Sequence, residues 1–336
     1  MAVLTADEAR IMRRREALAA RAGFGAMGGA VAWVVAVIAT HLDAFSTGQA
    51  FIYSEDWAHW LFLFAPLVTV PLGLRVIARH SAQMPPEPLR WAAALQFPFA
   101  LPLLLAFATH QSTFAMLLTL PWLGITGLLA LSALIRFKNR AWKLRPAQEL
   151  AFDAALAFIA IGGGWLTMSR WGLRPLDFGD VIAHLTAVHF HYAGFALPIL
   201  AGCAAMIAKR VAGAMVFGVI AGVPILAAGI SSKVIAVEAV AAWILCTVCI
   251  GVAVAQVVVA ARLKAGVVMR AALFISALTL LATMGLAGIY ALGALTLADW
   301  RLSIPTMIAW HGTLNVFGFT LPALLVWGAG PQSLTE

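Results

Sequence analysis

The chain has 336 residues, of which 63% are hydrophobic and only 11% charged. Water-soluble domains carry about 25% charged residues, so this composition excludes a soluble globular protein and points to a polytopic membrane protein. The formal net charge of +8 does not imply nucleic acid, because the basic residues lie in short stretches between apolar runs and form no single patch.

Residues 1–22 hold Arg10, Arg13, Arg14, Arg15 and Arg21 and are expected to be a cytoplasmic lead-in. The apolar run from Phe24 is too long for the core of a cleaved signal peptide and reads as a span that stays in the membrane. A spanning helix needs about 20 apolar residues. Ten such runs follow: 24–41, 57–78, 89–109, 112–136, 147–169, 179–208, 211–231, 236–262, 269–296 and 304–328. The third and fourth are separated by only His110-Gln111. Prolines 66, 71, 98 and 102 and the triplet Gly162-Gly163-Gly164 interrupt several runs. A bundle tolerates these where neighbours satisfy the freed backbone groups. The fold class expected is all-α, a single transmembrane bundle over residues 23–329.

Orientation follows from Lys and Arg, which favour cytoplasmic loops. With the N-terminus inside, all but four of the 22 Lys and Arg fall on the inner side, including the loop "RFKNRAWKLR" and the pair Lys209-Arg210. The four exceptions are Arg170, Arg174, Lys233 and Arg301. Both termini are therefore expected in the cytoplasm. Every histidine but His80 then lies toward the outer side, with Asp43, Glu55, Asp56, Asp177, Asp180, Glu238 and Asp299. An outer mouth of this kind welcomes cations or protons.

The sixth span carries His184, His189 and His191 in "HLTAVHFHYAGFALP". At 1.5 Å per residue, His184 lies roughly 8 Å deep, His189 roughly 15 Å and His191 roughly 18 Å. An advance of about 100° per residue puts His184 and His191 on one face and turns His189 about 200° from His191. The pair cannot chelate one ion on a straight helix, so each imidazole needs a partner from another span. The tenth span offers "MIAWHGTLNVFGF", with His311 and Asn315 at i, i+4 on one face and at similar depth. Intramembrane ionisable groups are costly and normally face the bundle interior. Histidine is the commonest metal ligand, and paired imidazoles suit haem. His189, His191 and His311 are thus the candidate haem or transition-metal ligands, and His184, Tyr192 and Asn315 their supports. Arg170 and Arg174 breach the charge bias above the histidines and are candidates to hold an anionic group.

Other polar features have plainer expectations. Cys246-x-x-Cys249 lies mid-span, where thiols behave as small hydrophobes. Lys233 and Glu238 are close enough in a short loop to pair. Glu149 and Asp153 are expected to meet Lys143 and Arg145 of the basic loop at the surface. Trp33, Trp57, Trp60, Trp91, Trp122, Trp142, Trp171, Trp300 and Trp327 mostly mark span ends and read as interfacial anchors. No phosphate-binding loop, dinucleotide fingerprint, HExxH, GxSxG or EF-hand pattern occurs.

The stretches "GGGWLTMSRWGLRPLDFGDVIAHLTAVHFHYAGF", "LTLPWLGITGLLALSALIRF", "LFLFAPLVTVPLGL" and "PTMIAWHGTLNVFGF" together resemble the YndJ-like family of bacterial membrane proteins. The resemblance runs from about Asp56 to Trp327. Where the family's last motif commonly reads HG-x-x-N-A, this chain has Val316. The resemblance implies a membrane bundle and points to the same polar residues, and implies no reaction. As a looser analogy, His-x-His before an apolar–Gly–aromatic run is similar to segments in relatives of haem–copper oxidase subunit I and in nitric-oxide-response haem proteins.

The expectation from sequence is a polar pocket open to the outside between the fifth, sixth and tenth spans. Three roles suit it: a haem or transition-metal site for redox or sensing, a proton-coupled transporter or carrier of a small molecule or lipid, and an assembly protein in which the polar groups only specify packing. The lipid bilayer is a partner in all three.

Overall fold

The computed structural model describes residues 5–47, 52, 55–209, 211–297 and 299–330. Arg210 and the side chains of Asp43 and Glu55 fall outside that description. Ten helices are long and apolar enough to cross a membrane: α1 Ala6–Leu42, α2 Asp56–His80, α3 Glu87–Ala108, α4 Thr113–Asn139, α5 Ala147–Trp171, α6 Asp180–Ile207, α7 Gly213–Ser231, α8 Ile235–Arg262, α9 Val267–Thr296 and α10 Ile304–Ala329. They match the ten apolar runs in order, and the described residues contain no strand. Helix α1 starts at Ala6, so the basic lead-in is its first four turns. The short break between α3 and α4 holds because Ser112 caps α4, its Oγ accepting from the Ala115 N–H at 3.1 Å.

Helices α2 and α6 form the centre. Buried residues make up 94% and 83% of their apolar windows, far above the share in the other helices, which must therefore surround them. Helices α1, α3, α4 and α5 pack along one side, each against the next or against the central pair. Helices α7, α8 and α9 close the other side, and α10 lies against α2 and α9. At the α5–α6 contact Gly162 is required. A Cβ there would stand 2.8 Å from Nδ1 of His191.

Three helices carry π-helical turns. Helix α2 is π-helical over Ala65–Thr69, α6 over Tyr192–Ala196, and α10 over Met307–Gly312 and Leu314–Thr320. The stretches in α2 and α6 and the second in α10 each end two residues before a proline: Pro71, Pro198 and Pro322. Proline has no N–H and pushes on the preceding turn, so the widened turn relieves that clash. All three lie in the middle of the bundle, where side chains can satisfy the carbonyls this frees.

The end of the bundle carrying the start of α1 is tied by charge. Arg15 donates to the carbonyls of Ala78 and Arg79, Arg75 to Gly328, and Arg79 to Ala329. The first and last spans thus share one end, as an even number of spans requires. Glu149 and Asp153 correct the surface-pair expectation here. They are buried, and their cations are Arg136 and Arg140 in place of Lys143 and Arg145. Arg136 is 1% exposed and donates to Asp153 at 2.6 Å, Glu149 at 2.7 Å and Ser81 at 3.1 Å. Arg140 closes the other side of Asp153. The reason is phase: Arg136 lies on the face of α4 that meets α5, whereas Lys143 and Arg145 sit in the loop beyond it.

Candidate functional site

A cavity of about 290 Å³ opens beside the α6 and α10 irregularities. Its walls come from α2, α6, α7, α8, α9 and α10. This replaces the expected fifth–sixth–tenth arrangement: no α5 residue lines it, because α5 packs on the opposite face of α6. The lining is mainly apolar. Its polar members include His189, Tyr192, Glu238, Tyr290, His311 and Asn315, with the sulfur side chains of Cys246, Cys249, Met284 and Met307.

His189 and His311 are set alike. Nδ1 of His189 lies 2.7 Å from the Leu185 carbonyl, one turn back on α6. Nδ1 of His311 lies 3.0 Å from the Thr283 carbonyl of α9. A carbonyl only accepts, so each neutral ring carries its proton on Nδ1 and its lone pair on Nε2. Neither Nε2 has a hydrogen-bond partner among the described residues. Both rings line the same cavity. Asn315 braces the backbone around His311: its Nδ2 donates to the His311 carbonyl at 2.8 Å, while its Oδ1 accepts from Thr283 at 3.1 Å. Tyr192 donates to the Leu61 carbonyl at 2.7 Å and so anchors α6 to α2.

His191 and His184 face away from this cavity, as 100° per residue demands of residues out of phase with His189. His191 is fully buried and both its nitrogens are used. Nδ1 meets the Ala187 carbonyl at 2.8 Å, and Nε2 accepts from the indole N–H of Trp122 at 3.1 Å. His184 is buried with neither nitrogen in a hydrogen bond. Its ring packs on His59 at 4.8 Å, Phe107 at 5.4 Å and Phe62 at 5.6 Å. Phe62 also touches His191 at 4.9 Å, which confirms that His184 and His191 share a face.

The two arginines serve this other face and the surface. Arg170 is buried over the Phe107 ring at 4.9 Å and donates to the Thr109 carbonyl at 2.6 Å. Arg174 is exposed and clamps Asp180 through two bonds, 3.0 and 2.8 Å. That pairing raises its guanidinium pKa further above the ordinary value. Neither lines the cavity. The expected site residues therefore divide: His189, His311, Tyr192 and Asn315 come together, while His184, His191, Arg170 and Arg174 do not join them. Lys233 pairs with Asp177 at 3.5 Å, leaving Glu238 to the cavity.

Trp122 and Thr283 escaped the sequence reading. Trp122 is buried at the centre of α4 and is no interfacial anchor. Its distance from the span ends, about 14 Å at 1.5 Å per residue past Thr113, was the available signal. Thr283 acts mainly through its backbone carbonyl, which no side-chain pattern advertises.

The model for the family described as YndJ-like protein matches residues 60–319. A relative from Bacillus subtilis (strain 168), named as uncharacterized membrane protein YndJ, is 32% identical over 228 residues. That match covers 66% of this chain and 39% of the relative, so the chain spans well under half of that protein's length. No solved structure matches. The family interval contains every residue lining the cavity except Ala58 and Thr320, and it leaves out α1.

Proposed function

The chain belongs to the YndJ-like family of membrane proteins, and from that premise we propose that its cavity holds a transition metal, as an ion or within haem, on Nε2 of His189 and His311. The single observation that carries this reading is the pair of pinned imidazoles. Each has Nδ1 committed to a main-chain carbonyl, and both side chains line the same cavity. Metal-binding histidines are oriented in this way by a carbonyl on the far nitrogen, which fixes the tautomer and makes the free nitrogen a better donor. His191 is left out of the ligand set because Trp122 occupies its second nitrogen.

The donor set fits a cation. Imidazole, thiol, thioether and carboxylate groups line the wall, and no Lys or Arg does. Soft sulfur and imidazole donors select soft ions such as copper(I). Among the described residues no three His, Cys, Asp or Glu side chains cluster tightly enough to enclose an ion. Two protein ligands therefore suit a low-coordinate ion, or an iron whose macrocycle supplies the remaining donors. The carboxylates of haem find no counter-cation on this wall, which favours the ion. Met284 and Met307 can yield to an occupant, being flexible and unbranched. The metal would supply one-electron chemistry or a coordination position for a small ligand. The protein's part is to orient the two imidazoles and offer Glu238 as a carboxylate on the same wall. The charge bias of the loops supports placing the N-terminus in the cytoplasm, and the bacterial relative supports a bacterial inner membrane as the location.

The test is elemental analysis and an absorption spectrum of the detergent-purified protein after exposure to copper(I), iron and haem. The expected result is stoichiometric metal that falls at least tenfold in His189→Ala and His311→Ala and persists in His191→Ala. Metal-free, colourless protein overturns the reading. A mainly apolar cavity of this size also suits a carrier of a small amphiphile. That second reading gains if the protein stays metal-free while His189→Ala abolishes uptake.

A further inference from the structure

We infer that a groove between the start of α1 and the start of α3 binds the headgroup of an anionic phospholipid. The groove encloses about 230 Å³ and is lined by Arg10, Arg13, Arg14, Ala17, Leu18 and Arg21 of α1 with Arg90 of α3. It lies far from the histidine cavity and mostly outside the interval that defines the family.

The groove exists because of residue size. Positions 10, 14, 17, 18 and 21 recur at helical spacing and share the face that continues through Gly25 and Gly28. At Gly25 and Gly28 the helices close: a Cβ on Gly25 would overlap the Gln96 amide, and one on Gly28 would meet the Phe97 ring at 3.0 Å. Toward the N-terminus arginines replace those glycines, and the helices stand apart.

Five guanidiniums share this space with one carboxylate. Glu87 sits on the rim, 4.0 Å from Arg14 and paired with Arg90. Arg10, Arg13 and Arg21 have no hydrogen bond or ion pair among the described residues. Arg15, on a different face, shows the contrast, since its guanidinium is spent on the Ala78 and Arg79 carbonyls. The positive-inside preference asks for cations at this end of the bundle, and scattered positions would satisfy it. Convergence of five on one concavity asks for an anion. Guanidinium is the group best matched to phosphate, which it can bind through two parallel N–H donors.

Position selects a lipid over a soluble phosphate. Arg10 to Arg21 cover about 16 Å of helix. Just beyond Arg21 the exposed side chains turn apolar, with Phe24, Met27 and Val31 on α1, and Trp91 is exposed beside Arg90 on α3. The guanidiniums therefore stand at headgroup level with acyl-chain surface directly below. Basic pockets between spans at this level hold anionic headgroups.

Native mass spectrometry of the full chain in detergent tests this with four probes: cardiolipin, phosphatidylglycerol, phosphatidylcholine and inorganic phosphate. The expected result is one retained anionic lipid per chain, none of phosphatidylcholine, and no displacement by millimolar phosphate. Replacing three guanidiniums in Arg13→Gln/Arg14→Gln/Arg21→Gln weakens retention roughly a hundredfold. A control triple at exposed lysines of the same end, Lys138→Gln/Lys143→Gln/Lys264→Gln, changes it less than about threefold. If the groove triple does not fold, the exposed pair Arg10→Gln/Arg13→Gln carries the test, with about a twentyfold loss. Equal weakening by both sets overturns the groove in favour of general surface potential. Displacement by phosphate assigns the groove to a free anion, and absence of any retained lipid removes the proposal.

Discussion

Arg136→Met is the sharpest probe of what ties α4 and α5 to the end of the central α2. The guanidinium is buried and bridges Asp153 and Glu149 while also donating to Ser81. Methionine keeps the apolar stem and removes the charge. Two buried carboxylates then face only Arg140. Breaking a buried pair by deleting one partner costs about 3–5 kcal/mol, because the other charge stays buried and unpaired. Glu149 keeps three donors, the Ala82 N–H at 2.7 Å, the Ser81 hydroxyl at 2.9 Å and the Gln83 amide at 3.1 Å, which places the cost near the lower bound. The expected loss is therefore about 3 kcal/mol, or roughly 6 °C in melting temperature at about 2 °C per kcal/mol for a chain of this size. Thermal unfolding in detergent measures it. Adding Glu149→Gln to Arg136→Met removes the stranded charge and returns about 2 kcal/mol of the loss, a coupling typical of contacting groups. A single variant within 1 kcal/mol of the parent, or a double variant worse than the single, refutes the account.

Trp122→Phe strands the Nε2 acceptor of His191 in a buried site and is expected to cost about 1–3 kcal/mol by the same unfolding assay, while leaving metal content unchanged. Gly162→Ala forces a methyl against the His191 and Phe190 side chains and is expected to cost about 1–3 kcal/mol by overpacking, read as a lower melting temperature. Arg174→Ala removes only an exposed pair with Asp180, so the melting temperature should stay within the error of measurement. A large drop there would mean that the loop before α6 is docked more firmly than its exposure implies.

The ten spans were legible because lipid leaves a chain little choice. Unsatisfied backbone groups force helices, and apolar run length then sets their number. The divergence of His189 from His184 and His191 was legible for an equally simple reason, the fixed turn of a helix. Neighbour choice was not. A hydropathy run says which face is apolar and leaves open which helix lies against it, so the wall around His189 was assigned to α5 with α10, when α10 is joined by α2, α7, α8 and α9 and α5 is absent. The same gap moved Glu149 and Asp153 from the surface to the interior. Five basic residues of one loop stood equally near in sequence, and only the phase of α4 against α5 selects Arg136 and Arg140. The π stretches were hidden as well, since Pro98, Pro121 and Pro224 sit in helices without them.

Satisfied and half-satisfied polar groups coexist within the spans of this bundle, and the half-satisfied pair that lines the cavity is the basis of the proposed site. The Arg136 network pairs its carboxylates with cations, hydroxyl and amide donors, and His191 uses both ring nitrogens. Groups satisfied in this way specify packing and have nothing left to offer a ligand. His189 and His311 have a hydrogen bond on one ring nitrogen only, and both line one cavity. The irregular backbone of α6 and α10 falls at the same place, and Asn315 donates to the carbonyl of His311 within the first π stretch of α10. An isolated half-satisfied histidine is a packing defect. Two of them, held by carbonyls at Nδ1 beside widened turns in helices that line one cavity, are the arrangement from which binding at Nε2 is proposed.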